Sequence, residues 1–334
     1  MKASIFLLFV AVTGCTADDV DNFLRYYAMP IAAAAYSDTP NICFQSIAND
    51  VNSNIQIFGQ DTFECDSLDD TCSGYTAFDP TNQFIIVSFR GTNKFFQLVD
   101  EGWDYNDFEP LIGGNVAEYF YNGFTDIWNH GMKNDFYTLK NKYPSYDILI
   151  VGHSLGGAMA SIAAATIVST GVVPASKVYL YTFGQPRTGN GDYATAFNAL
   201  GMSAYRVVHN RDMVAHLPPM ILYDYYHHAE EIWYENDMAV GDPYFICNPY
   251  DGEDSDCSDS LTFTTSIDDH KHYFGLEVSN FGSNGCSNDG SKALKPAKTL
   301  SRPYRLQKMN KEKLAKKILN IKKQSRLHKN KILH

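Results

Sequence analysis

No stretch of this 334-residue chain is apolar for long enough to cross a bilayer as a helix. The best run, Ile5 to Val12, is less than half the length required. Signatures of metal and nucleotide chemistry are missing as well. There is no H-E-x-x-H, no P-loop and no Rossmann glycine fingerprint, so neither a metal nor another cofactor is expected. No Pro/Gly/Ser-rich linker and no internal repeat interrupts the chain up to about Cys286, which leaves one domain of roughly 270 residues. Positive charge is scarce until the final segment. The net charge is −11, yet residues 289–334 hold fifteen Lys or Arg against Asp289 and Glu312, a balance of +13 that leaves −24 elsewhere. Phosphate binding needs a basic face, so this acidic body excludes nucleic acid as the natural partner.

What is present is a core-forming composition, 45% apolar, with an export signal in front of it. Lys2, the Ile5–Val12 run, then Gly14, Cys15 and Ala17 follow the order of a secretory signal, which predicts removal of residues 1–17 and an extracellular protein. Val12-Thr13-Gly14-Cys15 also resembles a bacterial lipobox, with Cys15 as a lipidated N-terminus the alternative. Loss of Cys15 leaves Cys43, Cys65, Cys72, Cys247, Cys257 and Cys286, enough for three disulfides in any of fifteen connectivities.

Nearly continuous apolar runs at Phe84–Phe89, Asp147–Val151, Val178–Phe183 and Tyr205–Val208 read as strands buried on both faces. Helical stretches lie between them, among them Ala158–Ser169. This alternation predicts an α/β fold with a mostly parallel central sheet flanked by helices. The stretch Val151-Gly152-His153-Ser154-Leu155-Gly156-Gly157 places G-x-S-x-G after one of those strands and before that helix. Such a nucleophile elbow holds a serine on a strained turn, where Gly152 and Gly156 let strand and helix cross closely. The Leu155 N–H then faces the place where a tetrahedral oxyanion would form.

Outward from the elbow the chain resembles the class-3 lipases, the family of the filamentous-fungal triacylglycerol lipases. The segments that carry the resemblance are FRGT (89–92), VGHSLGG (151–157), YTFGQPRTGN (181–190), YRVVHNRDMVAHLPP (205–219), HHAEEIWY (227–234) and DHKHYFG (269–275). The resemblance implies a single α/β-hydrolase-type domain over residues 18–288, cleavage of lipid carboxylic esters, and a Ser-Asp-His triad. Serine needs a base and the base an orienting carboxylate. Asp212 matches the family's triad carboxylate and follows a strand, where open-sheet sites gather. Alignment of Tyr273-Phe274-Gly275 makes His270 the base, with His272 the fallback. The second oxyanion donor falls on Thr92, where fungal lipases usually carry serine and feruloyl esterases threonine. His153, His209, His216, His227 and His228 read as packing residues.

Where the family carries a lid, Lys94–Asp100 sets Phe95, Leu98 and Val99 on one helical stripe beside Phe96. The resemblance also pairs Cys43 with Cys286, Cys65 with Cys72, and Cys247 with Cys257. Beyond the matched region, residues 289–334 form a basic tail in which Leu306, Met309, Leu314, Ile318 and Ile321 recur at near-helical spacing, a pattern that fits an anionic surface or no fixed structure at all. Three functions stand open: a secreted lipase acting at a lipid–water interface, a soluble feruloyl- or short-chain esterase, and a lipase-like binding protein without activity.

Overall fold

Side chains alternate across a strand, so a strand apolar at every position must have a core on each side. Four runs that come close to this pattern form the centre of the sheet. The structure is a computed structural model that describes residues 17–64, 71–91, 107–220 and 224–287. It opens with helices α1 (Ala17–Phe23), α2 (Met29–Ala34) and α3 (Pro40–Asp50), with a π-helical turn at Leu24–Ala28 between the first two. Strands β1 (Gln56–Glu64), β2 (Thr71–Asp79) and β3 (Phe84–Phe89) make an antiparallel meander. The hairpin β4 (Phe108–Leu111) and β5 (Gly114–Ala117) leads into helices α4 (Glu118–Ile127) and α5 (Lys133–Lys142). Then come β6 (Asp147–His153), α6 (Leu155–Ser169), β7 (Val178–Phe183), β8 (Gly189–Asn190), α7 (Gly191–Leu200) and β9 (Ser203–His209). The last part holds β10 (Tyr225–Tyr226), β11 (Glu231–Tyr234), β12 (Phe245–Ile246), α8 (Ile267–Lys271), β13 (His272–Tyr273), β14 (Leu276–Glu277) and α9 (Val278–Ser283).

The main sheet runs β1-β2-β3-β6-β7-β9-β11-β12. It is parallel from β3 through β11 and antiparallel at both margins. This is the α/β-hydrolase type of sheet. Strand β6 divides its residues between two cores: Leu149 and Val151 pack with α1–α3 and the C-terminal hairpin, Ile148 and Ile150 with α4–α6. Strands β3 and β7 divide in the same way. Each such side chain, fully buried, contributes roughly 1.5–3 kcal/mol. Helix α6 is buried on nearly all sides, which explains a sequence without a polar face. It begins at Leu155, three residues ahead of the expected start.

Disulfides Cys43–Cys286 and Cys247–Cys257 form as the family resemblance implied. Cys72 is also disulfide-bonded; Cys65 lies outside the described residues. Among the described residues no helix is long and apolar enough to cross a membrane.

Candidate active site

Strand β6 ends at His153 and α6 begins at Leu155, so Ser154 alone makes the turn. Its φ of 59° and ψ of −132° lie in a region that L-residues rarely occupy. The turn is held by the Ser154 N–H donating to the Phe183 carbonyl at 2.9 Å and the Gly157 N–H donating to the Ser154 carbonyl at 2.8 Å. A Cβ at Gly156 would strike the Phe89 carbonyl, so strand β3 and α6 touch backbone to backbone beside the serine. Ser154 Oγ is buried and makes no hydrogen bond among the described residues. The N-terminus of α6 has no side-chain cap, which leaves its first N–H groups and their partial positive charge to face the site.

Asp212 follows β9 and is fully buried. Its Oδ1 accepts from the Val214 N–H at 2.8 Å, and its Oδ2 accepts from the Tyr273 hydroxyl at 2.7 Å. His270 Nδ1 lies 2.9 and 3.0 Å from the two carboxylate oxygens. Burial pushes the Asp212 pKa upward, but the His270 charge and the hydrogen bonds from His270 and Tyr273 outweigh it and hold it at about 2. Asp212 is therefore an anion that can only accept, so His270 Nδ1 donates to it and Nε2 is the ring nitrogen that the carboxylate does not engage. The two elements are tied through their backbones: the Met213 N–H donates to the Ser266 carbonyl at 3.2 Å, and the Ser266 N–H to the Arg211 carbonyl at 3.1 Å. The Ser266 hydroxyl then caps α8 by accepting from the Asp269 N–H at 2.9 Å. Gly184, at φ +57°, sits against the Asp–His pair; a Cβ there would fall 2.6 Å from Asp212 Oδ2 and 2.7 Å from His270 Nδ1.

His270 thus meets Asp212. His272, the fallback base, is half-exposed and faces Asp268 instead, its Nδ1 3.2 Å from Oδ1. Thr92 and the stripe Phe95, Phe96, Leu98 and Val99 lie outside the described residues. Sequence reasoning missed Tyr36 and gave no role to Tyr273 beyond marking the alignment. His153, His209, His227 and His228 are buried, as packing residues should be, and each also makes specific hydrogen bonds. Behind the Asp212 turn lies an unexpected ion cluster. Arg187 binds Glu253 at 2.6 Å and Asp259 at 3.3 Å, and also donates to the carbonyls of His216 and Pro218 at 2.6 and 3.1 Å. One described group of donor side chains could gather around a metal ion, Glu231 with Cys247 and Cys257, but both sulfurs are taken by the disulfide.

A serine on a strand–elbow–helix turn, beside a buried Asp–His pair at the C-terminal edge of a mostly parallel sheet, is the arrangement of the α/β-hydrolases. The family described as Lipase (class 3) matches residues 86–222. Lipase ZK262.3 of Caenorhabditis elegans is 35% identical over 290 residues, covering 77% of this chain and 80% of its own. The lipase of Rhizopus niveus is 31% identical over 215 residues, 63% of this chain, and this chain spans about half of it, 52%. Among solved structures, a triacylglycerol lipase whose catalytic centre is formed by a serine protease triad superposes with a TM-score of 0.66 at 26% identity, covering 79% of this chain and 97% of that one. The chain belongs to the class 3 lipase family, and with it to the carboxylic ester hydrolases.

Proposed function

We propose that this protein is a secreted lipase that cleaves lipid esters through Ser154, His270 and Asp212. The observation that carries the reading is the anionic, buried Asp212 bonded to His270 within 3.0 Å, beside a serine held in a strained elbow. His270 Nε2 takes the Ser154 proton as Oγ attacks the acyl carbonyl, and then gives it to the departing alcohol. Water, deprotonated by the same imidazole, releases the fatty acid from the acyl-enzyme. The Leu155 N–H and the Thr92 N–H would hold the oxyanion of each tetrahedral intermediate. Phe95, Phe96, Leu98 and Val99 would form an apolar lid that opens against lipid. The disulfides Cys43–Cys286 and Cys247–Cys257 support an oxidising destination, hence export after removal of residues 1–17. Residues 18–288 would be the catalytic domain and 289–334 a basic appendage.

The test is initial rate on emulsified long-chain triglyceride and on a dissolved short-chain ester, for wild type and Ser154→Ala. Wild type should prefer the emulsion. The variant should lose turnover on both by a factor on the order of a million while keeping its melting transition. Turnover within tenfold of wild type would remove Ser154 from the chemistry; preference for the dissolved ester would favour a soluble esterase.

A further inference from the structure

The residue before the nucleophile makes contacts that the hydrolytic mechanism does not use. His153 is buried, and both of its ring nitrogens are engaged across the fold. Nε2 lies 2.9 Å from the backbone carbonyl of His270, and Nδ1 lies 2.8 Å from the hydroxyl of Tyr36. A carbonyl only accepts, so Nε2 carries the proton and Nδ1 accepts from Tyr36. Burial pushes the His153 pKa down to about 3, so the ring keeps this neutral tautomer at any ordinary pH. Its face also lies on the face of His270, with centroids 4.8 Å apart and planes 24° apart.

The element that carries His270 needs such a hold. Helix α8 has only five residues, and the carbonyls at its C-terminal end lack the donors that a longer helix would supply. Imidazoles supply them here: His209 Nδ1 reaches the carbonyls of Asp269 and His272 at 2.9 and 2.5 Å, and His153 takes that of His270. His153 is the one whose own backbone continues directly into Ser154. One covalent neighbour and one hydrogen bond therefore link the nucleophile to the backbone of the base, in addition to the hold of Asp212 on its ring.

On the triad reading above, we propose that His153 is a positioning residue for the base, holding His270 at its working distance from Ser154, and that Tyr36 fixes the tautomer that lets it do so. His153→Phe keeps the ring stack and removes both hydrogen bonds. It should lower kcat by about 30- to 100-fold with KM within about threefold, because misplacement of a catalytic group is felt in the chemical step. In His153→Gln the amide nitrogen replaces Nε2 as donor to His270, which should restore kcat to within about tenfold of wild type. Tyr36→Phe should cost a few fold alone and nothing more in the His153→Phe background, since its effect passes through His153.

The measurements are kcat and KM on a dissolved short-chain ester, with melting transitions to show that each variant folds. If His153→Phe does not fold, the four-way comparison of wild type, His153→Gln, Tyr36→Phe and the double variant carries the test. There the Tyr36→Phe loss should shrink once Gln, which cannot accept at the Nδ1 position, replaces His153. A His153→Phe kcat within threefold of wild type, a loss confined to KM, or His153 and Tyr36 effects that simply multiply would overturn the proposal. These outcomes are separate from failure of the triad, which only a still-active Ser154→Ala protein would show.

Discussion

Tyr273 donates its phenol proton to Asp212 at 2.7 Å and lies wholly inside the protein. Burial, and then the neighbouring anion, raise its pKa well above the ordinary phenol value, so it remains a donor throughout the range of an esterase assay. Hydrogen bonds to a charged group are worth roughly 1.5–3 kcal/mol. Tyr273→Phe should therefore weaken the anion that orients His270 and lower kcat about tenfold, with KM little changed. Steady-state kinetics on a dissolved ester decide the point, and a kcat within twofold of wild type would leave Tyr273 a packing residue. Ser154 stood out because it sits in a dense local motif between a strand and a helix, whereas Asp212, although it follows a strand, was singled out by the family resemblance. Choosing His270 over His272 required the resemblance, since both lie in one short segment. Tyr36 could not be read at all: its partner His153 is 117 residues away, and a lone tyrosine in the turn after an alanine-rich helix carries no periodic signal.

Strands β3, β6, β7 and β9 were visible in the sequence because burial on both faces makes nearly every residue apolar, with Ser88, Thr182 and Arg206 among the buried exceptions. Strand β1, QIFGQDTFE, alternates exposed and half-buried positions at the sheet margin and contains a register shift near Gly59, so no run marks it. The four-residue β11 is too short to stand out, although it carries Glu231 into the core. The loop between β12 and α8 was equally opaque, and it brings Glu253 and Asp259 against Arg187. Burial and the Glu253 charge push Asp259 up to about 8, whereas Arg187 overcomes burial to keep Glu253 low. The folded protein therefore holds a proton on Asp259 that the unfolded chain releases near the ordinary carboxylate value. Its stabilising effect is complete below about pH 4 and is lost as pH rises towards 8, opposite in sign to that of Asp212, whose effect is lost as pH falls towards 2. Melting temperature followed from about pH 5 to 8 should decline, and Asp259→Asn should flatten that decline. An unchanged slope in the variant would mean that the proton resides elsewhere.

On the scale of the whole molecule, disulfide Cys43–Cys286 joins α3 to the turn after α9 across 243 residues. The Ser46 hydroxyl adds a bond to the Cys286 carbonyl at 2.7 Å. Closing so long a loop restricts the unfolded chain more than any local contact can, and replacing both cysteines by alanine should cost about 3–5 kcal/mol in denaturant titration. A loss below about 1 kcal/mol would show that packing of α9 on the core holds the ends together unaided. The same long reach governs when the active site comes into being. Ser154 and its elbow belong to the middle of the chain, whereas His270 and Tyr273 come near the end of the described residues. Contacts of high sequence separation form late because their loops must close first. On the proposed triad, a polypeptide leaving the ribosome would therefore carry its nucleophile without its base for more than a hundred residues of synthesis, and hydrolysis would wait until the C-terminal hairpin has docked.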